Sequence, residues 1–399
     1  MIQPDQLPIV RLLPKINAQK LRFGFPWVYR DQVVLDRRTR NIPAGAVVIL
    51  QDSNRQVLGQ YAFNATSQII CRLLEADTSN LVGSDWLRKR LQRALDLRER
   101  LFEQPYYRLV HAEADGLPGV VVDRFGPVAV VQPNTAFANA RMAEISDALT
   151  SVTGVTTVIK NCSGRSRALE GLDDKSAVLT GEITGPMPVQ MNGATYLADV
   201  TGGQKTGLFY DQRPNHAFAA RLAEGASVLD VFCHVGGFGL AALAAGATSA
   251  LGVDSSAASL GLAEKGAVAS GYGDCFSTRR GDAFKVMEEL QTGPEQFDLV
   301  VCDPPAFAPI RAALNAGLRA YSRVARQAAE LVSPGGFLGL CSCSHAASLD
   351  SFREACTAGI GKAGRRGQLI YTGAAGPDHP THPMLAESSY LKALFFRLD

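Results

Sequence analysis

The chain has 399 residues, 46% of them hydrophobic and 20% charged, with a net charge of only +2. That length suits two or three domains better than one, and the composition is ordinary globular material with apolar mass for several cores. The longest apolar tract, residues 228–247, is broken by Asp230, His234 and several glycines, so no membrane association is expected.

Residues 1–6 have neither a basic head nor an apolar follow-on, which argues against a secretory leader. Eight cysteines without regular spacing point to reduced thiols in a cytoplasmic protein. There is no Cys-x-x-Cys pair, so no metal site is expected. The charge is uneven. Residues 1–110 hold 17 Lys and Arg against 10 Asp and Glu, whereas the remainder is net acidic. A polyanion would be drawn to the front of the chain, although such clusters are often only a solvated face.

Residues 1–76 read as a small β-barrel. Short strands are predicted at 47–50, 59–63 and 69–74, separated by polar turns. The segment 15–40 interleaves basic residues with Phe23, Phe25, Trp27 and Tyr29, a composition suited to phosphate contact and base stacking. Arg22, Trp27 and Arg30 are the candidate RNA-contacting residues, with core filling an equal reading for Trp27. Residues 77–185 alternate a strong helix from Ser84, strands about 107–124 and 128–132, a helix at 138–149 and a strand at 156–160. This is an α+β connector.

From residue 186 to 399 the rhythm is strand, loop, helix. Strands are predicted at 227–232, 250–254, 297–302 and 336–343, with helices such as 239–245 and 256–270 between them. Apolar strands alternating with helices imply a doubly wound, Rossmann-like α/β fold, whose ligands lie at the carboxyl ends of the strands. No internal repeat is evident.

Four elements stand in the order such a fold would need for a nucleoside ligand. Asp230 and Phe232 lead into a loop with Gly236 and Gly237, and a carboxylate ahead of a glycine loop suits a cationic ligand better than a pyrophosphate. Asp254 ends the next strand, the place for a carboxylate on ribose hydroxyls, with a helix N-cap as an equal reading. Gly281-Asp282 follows the third strand region, where Asp282 suits an adenine edge. Asp303-Pro304-Pro305 closes the fourth.

With these motifs the chain resembles class I methyltransferases that use S-adenosylmethionine. More narrowly it is similar to the bacterial 23S rRNA 5-methylcytosine methyltransferases with an N-terminal PUA domain. The matching runs are Phe25-Pro26-Trp27-Val28-Tyr29, the segments 113–119 and 203–209, Asp211-Gln212-Arg213, Ser342-Cys343-Ser344-His345 and Tyr390-Leu391-Lys392. The resemblance implies a cofactor role for Lys205, Thr206, Phe209 and Asp211, and a large-subunit ribosomal RNA partner; the chain is also compatible with a homodimer. One departure is plain: where that family has lysine after Asp-Pro-Pro, this chain has Ala306.

The implied chemistry needs a thiolate. Carbon 5 of cytosine is a poor nucleophile until a thiolate adds at carbon 6. Cys341 and Cys343 lie on one predicted strand, and alternation places them on one face, with Cys343 nearer the ligand-binding end. Cys343 is therefore the expected nucleophile, and Cys341, Cys302 and Cys233 are assigned to packing. An ordinary cysteine is only about 3% thiolate at pH 7, so a neighbouring donor such as His345 should assist. Asp303 is the expected acid at the base edge, and Phe307 is placed to stack on a base that leaves its helix. His379 and His382 are read as a substrate-side loop. Two other readings stay open: methylation of an exocyclic nitrogen or of uracil carbon 5, and a non-catalytic RNA-binding assembly factor.

Overall fold

The computed structural model describes residues 6–164, 166–202 and 206–399. The chain forms two compact units. The first takes in residues 1–185, 200–207 and 377–388; the second takes in 186–199, 208–376 and 389–399.

In the first unit, a five-stranded sheet has the order Ile9–Arg11, Val47–Gln51, Val57–Phe63, Ile69–Glu75, Trp27–Tyr29. Each of its antiparallel ladders carries a register shift, and such bulges bend and twist a sheet. The result is a small sheet curled over Val10, Val28, Val48, Leu50, Tyr61, Phe63 and Ile70. A second five-stranded sheet runs in chain order from Tyr106–His111 through Val120–Phe125, Val128–Pro133 and Thr157–Lys160 to Ala177–Thr180. Helices Ser84–Leu101 and Met142–Thr153 bury Leu87, Leu91, Leu95, Ile145 and Leu149 in its core, the apolar stripe that their sequence spacing predicts.

Fully buried Arg98 organises the polar interior of this unit. It pairs with both oxygens of Asp115 at 2.6 and 2.9 Å and donates to the carbonyls of Arg108 and Asp378. Arg108 in turn grips Asp123 at 2.6 and 2.9 Å.

In the second unit the strands of the large sheet are β1 (Ser227–Val231), β2 (Ser249–Asp254), β3 (Phe276–Arg280), β4 (Phe297–Cys302), β5 (Val332–Ser342), β6 (Gly367–Gly373) and β7 (Lys392–Leu398). Their spatial order is β3-β2-β1-β4-β5-β7-β6. The first five are parallel, and β7 is antiparallel to both of its neighbours. The helices are α1 (Arg213–Ala220), α2 (Gly237–Ala244), α3 (Ala257–Ala269), α4 (Ala283–Gln291), α5 (Leu314–Glu330) and α6 (Leu349–Lys362). Val286, Met287, Tyr321, Val324, Ala325, Phe352 and Ile360 bring α4, α5 and α6 onto one face of the sheet. A hairpin, Met187–Met191 with Ala194–Ala198, precedes the sheet and packs near α3, where Thr195 and Ser270 exchange hydrogen bonds.

The doubly wound sheet is thus the one that the sequence alternation predicts. Its strand order reverses between β1 and β4, and that reversal opens a crevice at the carboxyl edge. The predicted strand 336–343 is longer than expected at its start and ends at Ser342. Cys343 therefore lies just past the strand, and strict alternation with Cys341 does not extend to it.

Candidate active site

The loop after β1 is shaped by its backbone. Phe232 and His234 have φ of +63° and +51°, and Gly236 has +83°. Two non-glycine residues held in the left-handed region cost energy that the surroundings must supply, a feature that concentrates at ligand sites. Asp230 anchors the turn. One carboxylate oxygen accepts from the N–H groups of Phe238 and Gly239 at 3.1 and 2.8 Å, using the open donors of the first turn of α2. Its other oxygen, Oδ1, is buried with no partner among the described residues. Burial drives this carboxyl up to about 7, against the two backbone bonds that favour its charge.

Gly237 is glycine for a visible reason. A Cβ there would stand 2.7 Å from Nε2 of His216, whose ring also meets Phe238 edge to face at 4.4 Å. Burial and Arg213 hold His216 neutral, lowering its pKa to about 3. On the other side of the loop, Phe209 meets the His234 ring at 5.0 Å. Asp211 is buried and accepts the Tyr390 hydroxyl at 2.5 Å, leaving its Oδ1 without a partner among the described residues.

Asp254 sits where β2 ends. It accepts from His234 N at 3.0 Å and from Ser256 N at 2.8 Å. The N-cap reading of Asp254 is corrected: Ser256 caps α3. Asp282, in contrast, is an exposed N-cap that accepts from Lys285 N at 3.1 Å. Phe284, two residues on, meets Phe232 at 6.5 Å and Phe307 at 6.2 Å.

The β4–β5 edge carries Asp303 and Cys343. Half-buried Asp303 donates its backbone N–H to the carbonyl of Val231 at 3.1 Å, which fixes it beside the glycine loop. Phe307 lies against Tyr321 at 5.0 Å. The Tyr321 hydroxyl is bonded to Ser342 and Ser344 at 2.8 and 2.7 Å, and Ala308 N donates to Ser344 Oγ at 2.9 Å. This buried hydroxyl chain ties the loop after β4 to the loop after β5 and so positions Cys343. Six of the eight cysteines are buried; Cys275 is exposed and Cys343 is half-buried. Cys275 precedes β3, at the amino edge of the sheet, away from the crevice. Buried Lys392 donates to the carbonyls of Ser344 and Ala347 at 2.7 and 2.8 Å. His345 is exposed and lies 5.5 Å from the Tyr390 ring.

The structure therefore gathers Phe209, Asp211, Asp230, Phe232, Gly236, Gly237, Asp254, Asp303, Phe307 and Cys343 around one sheet edge. Lys205 lies outside the described residues. Thr206 belongs to the first unit, where its hydroxyl donates to Asp123 at 2.6 Å. Arg22, Trp27 and Arg30 also belong there, each with an internal partner. Arg22 pairs with Asp52 at 2.5 Å, Trp27 donates to Glu113 at 2.8 Å beneath Arg72, and Arg30 donates to the Ala65 carbonyl. The most exposed ring of this segment is Phe23, 69% exposed. His379 is buried beside His111 and bonded to Asp378, so this part of the 376–383 loop is interior to the first unit.

Sequence reading missed His216, Tyr321 and Lys392 as parts of the site. The first two have no local signal, and Lys392 stands within a matching run without a role attached.

A reversed parallel sheet with a glycine loop after its first strand and carboxylates ending the first, second and fourth defines a class I methyltransferase fold. The comparisons agree. Residues 135–397 match the S-adenosylmethionine-dependent methyltransferase family, and residues 10–76 match a PUA-like domain. Ribosomal RNA large subunit methyltransferase I of Shewanella amazonensis is 34% identical over 379 residues, covering 94% of this chain and 95% of that protein. Its counterpart in Aeromonas hydrophila is 33% identical over 392 residues, covering 96% and 98%. Among solved structures, a protein of Streptococcus mutans described as an S-adenosylmethionine-dependent methyltransferase superposes with TM-score 0.81 at 19% identity, over 98% of this chain and all of that one. A second, complexed with S-adenosylhomocysteine, gives 0.80 at 21% over the whole of both chains. The chain belongs to the S-adenosylmethionine-dependent methyltransferase family, with a PUA-like domain at its N-terminus.

The residues present fit that cofactor. The two unpartnered carboxylate oxygens, on Asp230 and Asp211, suit a cationic ligand, and the strained glycine loop presents backbone rather than side chains.

Proposed function

We propose that this protein forms 5-methylcytosine in 23S ribosomal RNA, with Cys343 as its nucleophile. The observation that carries the reading is the placement of Cys343: a half-buried thiol just past β5, on the crevice edge, while Cys341 and Cys302 are buried in the sheet. The relatives named ribosomal RNA large subunit methyltransferase I support the RNA substrate.

In this reading, Phe209, Asp211, Asp230, Phe232, Gly236, Gly237, Asp254 and Asp282 hold S-adenosylmethionine, and the resemblance adds Lys205 and Thr206. When bound, that group supplies an electrophilic methyl. The Cys343 thiolate adds to carbon 6 of the cytosine; its electron pair makes the S–C bond, and the former C5–C6 π pair becomes nucleophilic at carbon 5. Asp303, protonated at the base edge, donates toward N3 as negative charge builds there. After methylation a base removes the carbon-5 proton, those electrons reform the double bond, and the S–C bond breaks to return the thiolate. Phe307 stacks on the extruded base. The PUA-like segment 1–76, with Arg22, Trp27 and Arg30, engages RNA; residues 77–185 connect it to the catalytic segment 186–399.

The test pairs two measurements. Mass-spectrometric mapping of ribosomal RNA from cells with and without the protein should show loss of one 5-methylcytosine, restored by wild type and by Cys341→Ala but not by Cys343→Ala. An active Cys343→Ala protein would overturn the covalent route in favour of nitrogen methylation. An unchanged RNA map would point to a binding role without catalysis.

A further inference from the structure

We infer that Lys392 is a charge that holds Cys343 as a thiolate. The inference rests on Cys343 being the nucleophile. Lys392 opens β7 and pairs directly opposite Ser342, the residue before Cys343. The residue is only 8% exposed, and its ammonium donates to the carbonyls of Ser344 and Ala347 at 2.7 and 2.8 Å. Both acceptors are neutral, and no Asp or Glu forms an ion pair with Lys392 among the described residues. A cation buried against carbonyls alone is costly, and an anion close by offsets that cost. The loop that it grips carries Cys343.

Among the described residues, Tyr321, Asp303 and His345 do not supply that charge. Tyr321, on α5, has its hydroxyl bonded to Ser342 and Ser344, and burial raises its pKa, so it stays neutral. Asp303, ending β4, is an acid and brings no positive charge to this edge. His345 is exposed and lies against Tyr390, whose hydroxyl is given to Asp211. For Lys392 itself, burial lowers its pKa while the thiolate of Cys343 raises it, and that coupling is reciprocal.

The experiment is iodoacetamide alkylation against pH, read peptide by peptide, on the full chain and on Lys392→Gln, Lys392→Met and Lys392→Arg. Gln keeps donors without charge, Met keeps bulk alone, and Arg keeps charge. Exposed Cys275 serves as the internal standard, and the six buried cysteines, unlabelled in a folded chain, report on integrity. Wild-type Cys343 should titrate at least one pH unit below an ordinary cysteine at about 8.5. The midpoint should rise by a unit or more in both the Gln and Met variants, about tenfold slower alkylation at pH 7, and return toward wild type in the Arg variant. A wild-type midpoint at or above 8.5, or coincident wild-type and Gln profiles, overturns the inference. If the neutral variants fail to fold, the reciprocal measurement decides: Cys343→Ala should lower the Lys392 ammonium titration followed by NMR with labelled lysine, and an unmoved titration overturns the inference.

Methyl transfer by Cys343→Ala stays a separate readout. An active Cys343→Ala protein with shifted midpoints would sink the nucleophile and keep the Lys392 coupling; an inactive one with unshifted midpoints would do the reverse.

Discussion

The hydroxyl of Tyr321 lies 2.7 Å from Oγ of Ser344, and through that contact α5 holds the residue that follows Cys343. The same hydroxyl accepts from Ser342 at 2.8 Å, and Ser344 accepts from Ala308 N at 2.9 Å. Tyr321→Phe would remove one partner from each of two buried serine hydroxyls. We expect a loss of about 1–3 kcal/mol in stability by urea unfolding. We also expect kcat to fall more than the KM for S-adenosylmethionine changes, because the cofactor loop after β1 is built separately. Unchanged stability would mean that the hydroxyl chain contributes nothing.

Asp230 makes a pH-dependent prediction. Its carboxyl is raised from 3.8 to about 7 by burial. A group harder to ionise folded than unfolded adds stability below its unfolded pKa and loses that contribution as pH rises through its folded one. The window is therefore about pH 4 to 7. In ligand-free protein, Asp230→Asn has no charge to bury, so the difference in Tm should move in the variant's favour between pH 5 and 8. A difference independent of pH would show that Asp230 ionises normally.

Gly237→Ala should damage the cofactor loop. The added methyl would lie 2.7 Å from His216 Nε2, in a buried site with little room to give. Overpacking of this kind costs about 1–3 kcal/mol. Calorimetric titration with S-adenosylhomocysteine should show binding weakened at least tenfold. Gly261→Ala on α3, where a methyl meets nothing within 4 Å, should leave binding and Tm near wild type.

Phe23 and Trp27 should separate RNA binding from stability. Phe23 is 69% exposed, so Phe23→Ala should leave Tm within a degree or two and weaken RNA binding by the value of one stacked base, about 1–3 kcal/mol. Trp27→Ala removes a bond to Glu113 and the ring beneath Arg72, so it should lower Tm. Filter binding at two salt concentrations, alongside thermal unfolding, gives both numbers. Equal RNA binding by Phe23→Ala and wild type would remove Phe23 from the interface.

Much of the fold was legible from local patterns. The alternation of apolar strands with helices announced the doubly wound sheet, and Asp230, Asp254 and Asp303 were placed by their positions at strand ends. Those features are local: a strand period, a glycine loop and a terminal carboxylate are written in consecutive residues. Asp254 and Asp282 show where that stops. Both precede helices and look alike in sequence, yet one braces the glycine loop through His234 and the other caps α4 in the open.

Sequence by itself determined the parallel sheet, the glycine loop and the presence of a cysteine at the end of the fifth strand, because each depends on spacing within a short segment. Tertiary structure alone decided what surrounds that cysteine. Lys392 reaches the loop that carries it from β7, 49 positions later in the chain, because the last strand turns antiparallel and lays its first residue opposite Ser342. His216 reaches Gly237, and Tyr321 reaches Ser344, through helices packed against the sheet. Such contacts are set by burial and register between distant segments, and no spacing along the chain records them.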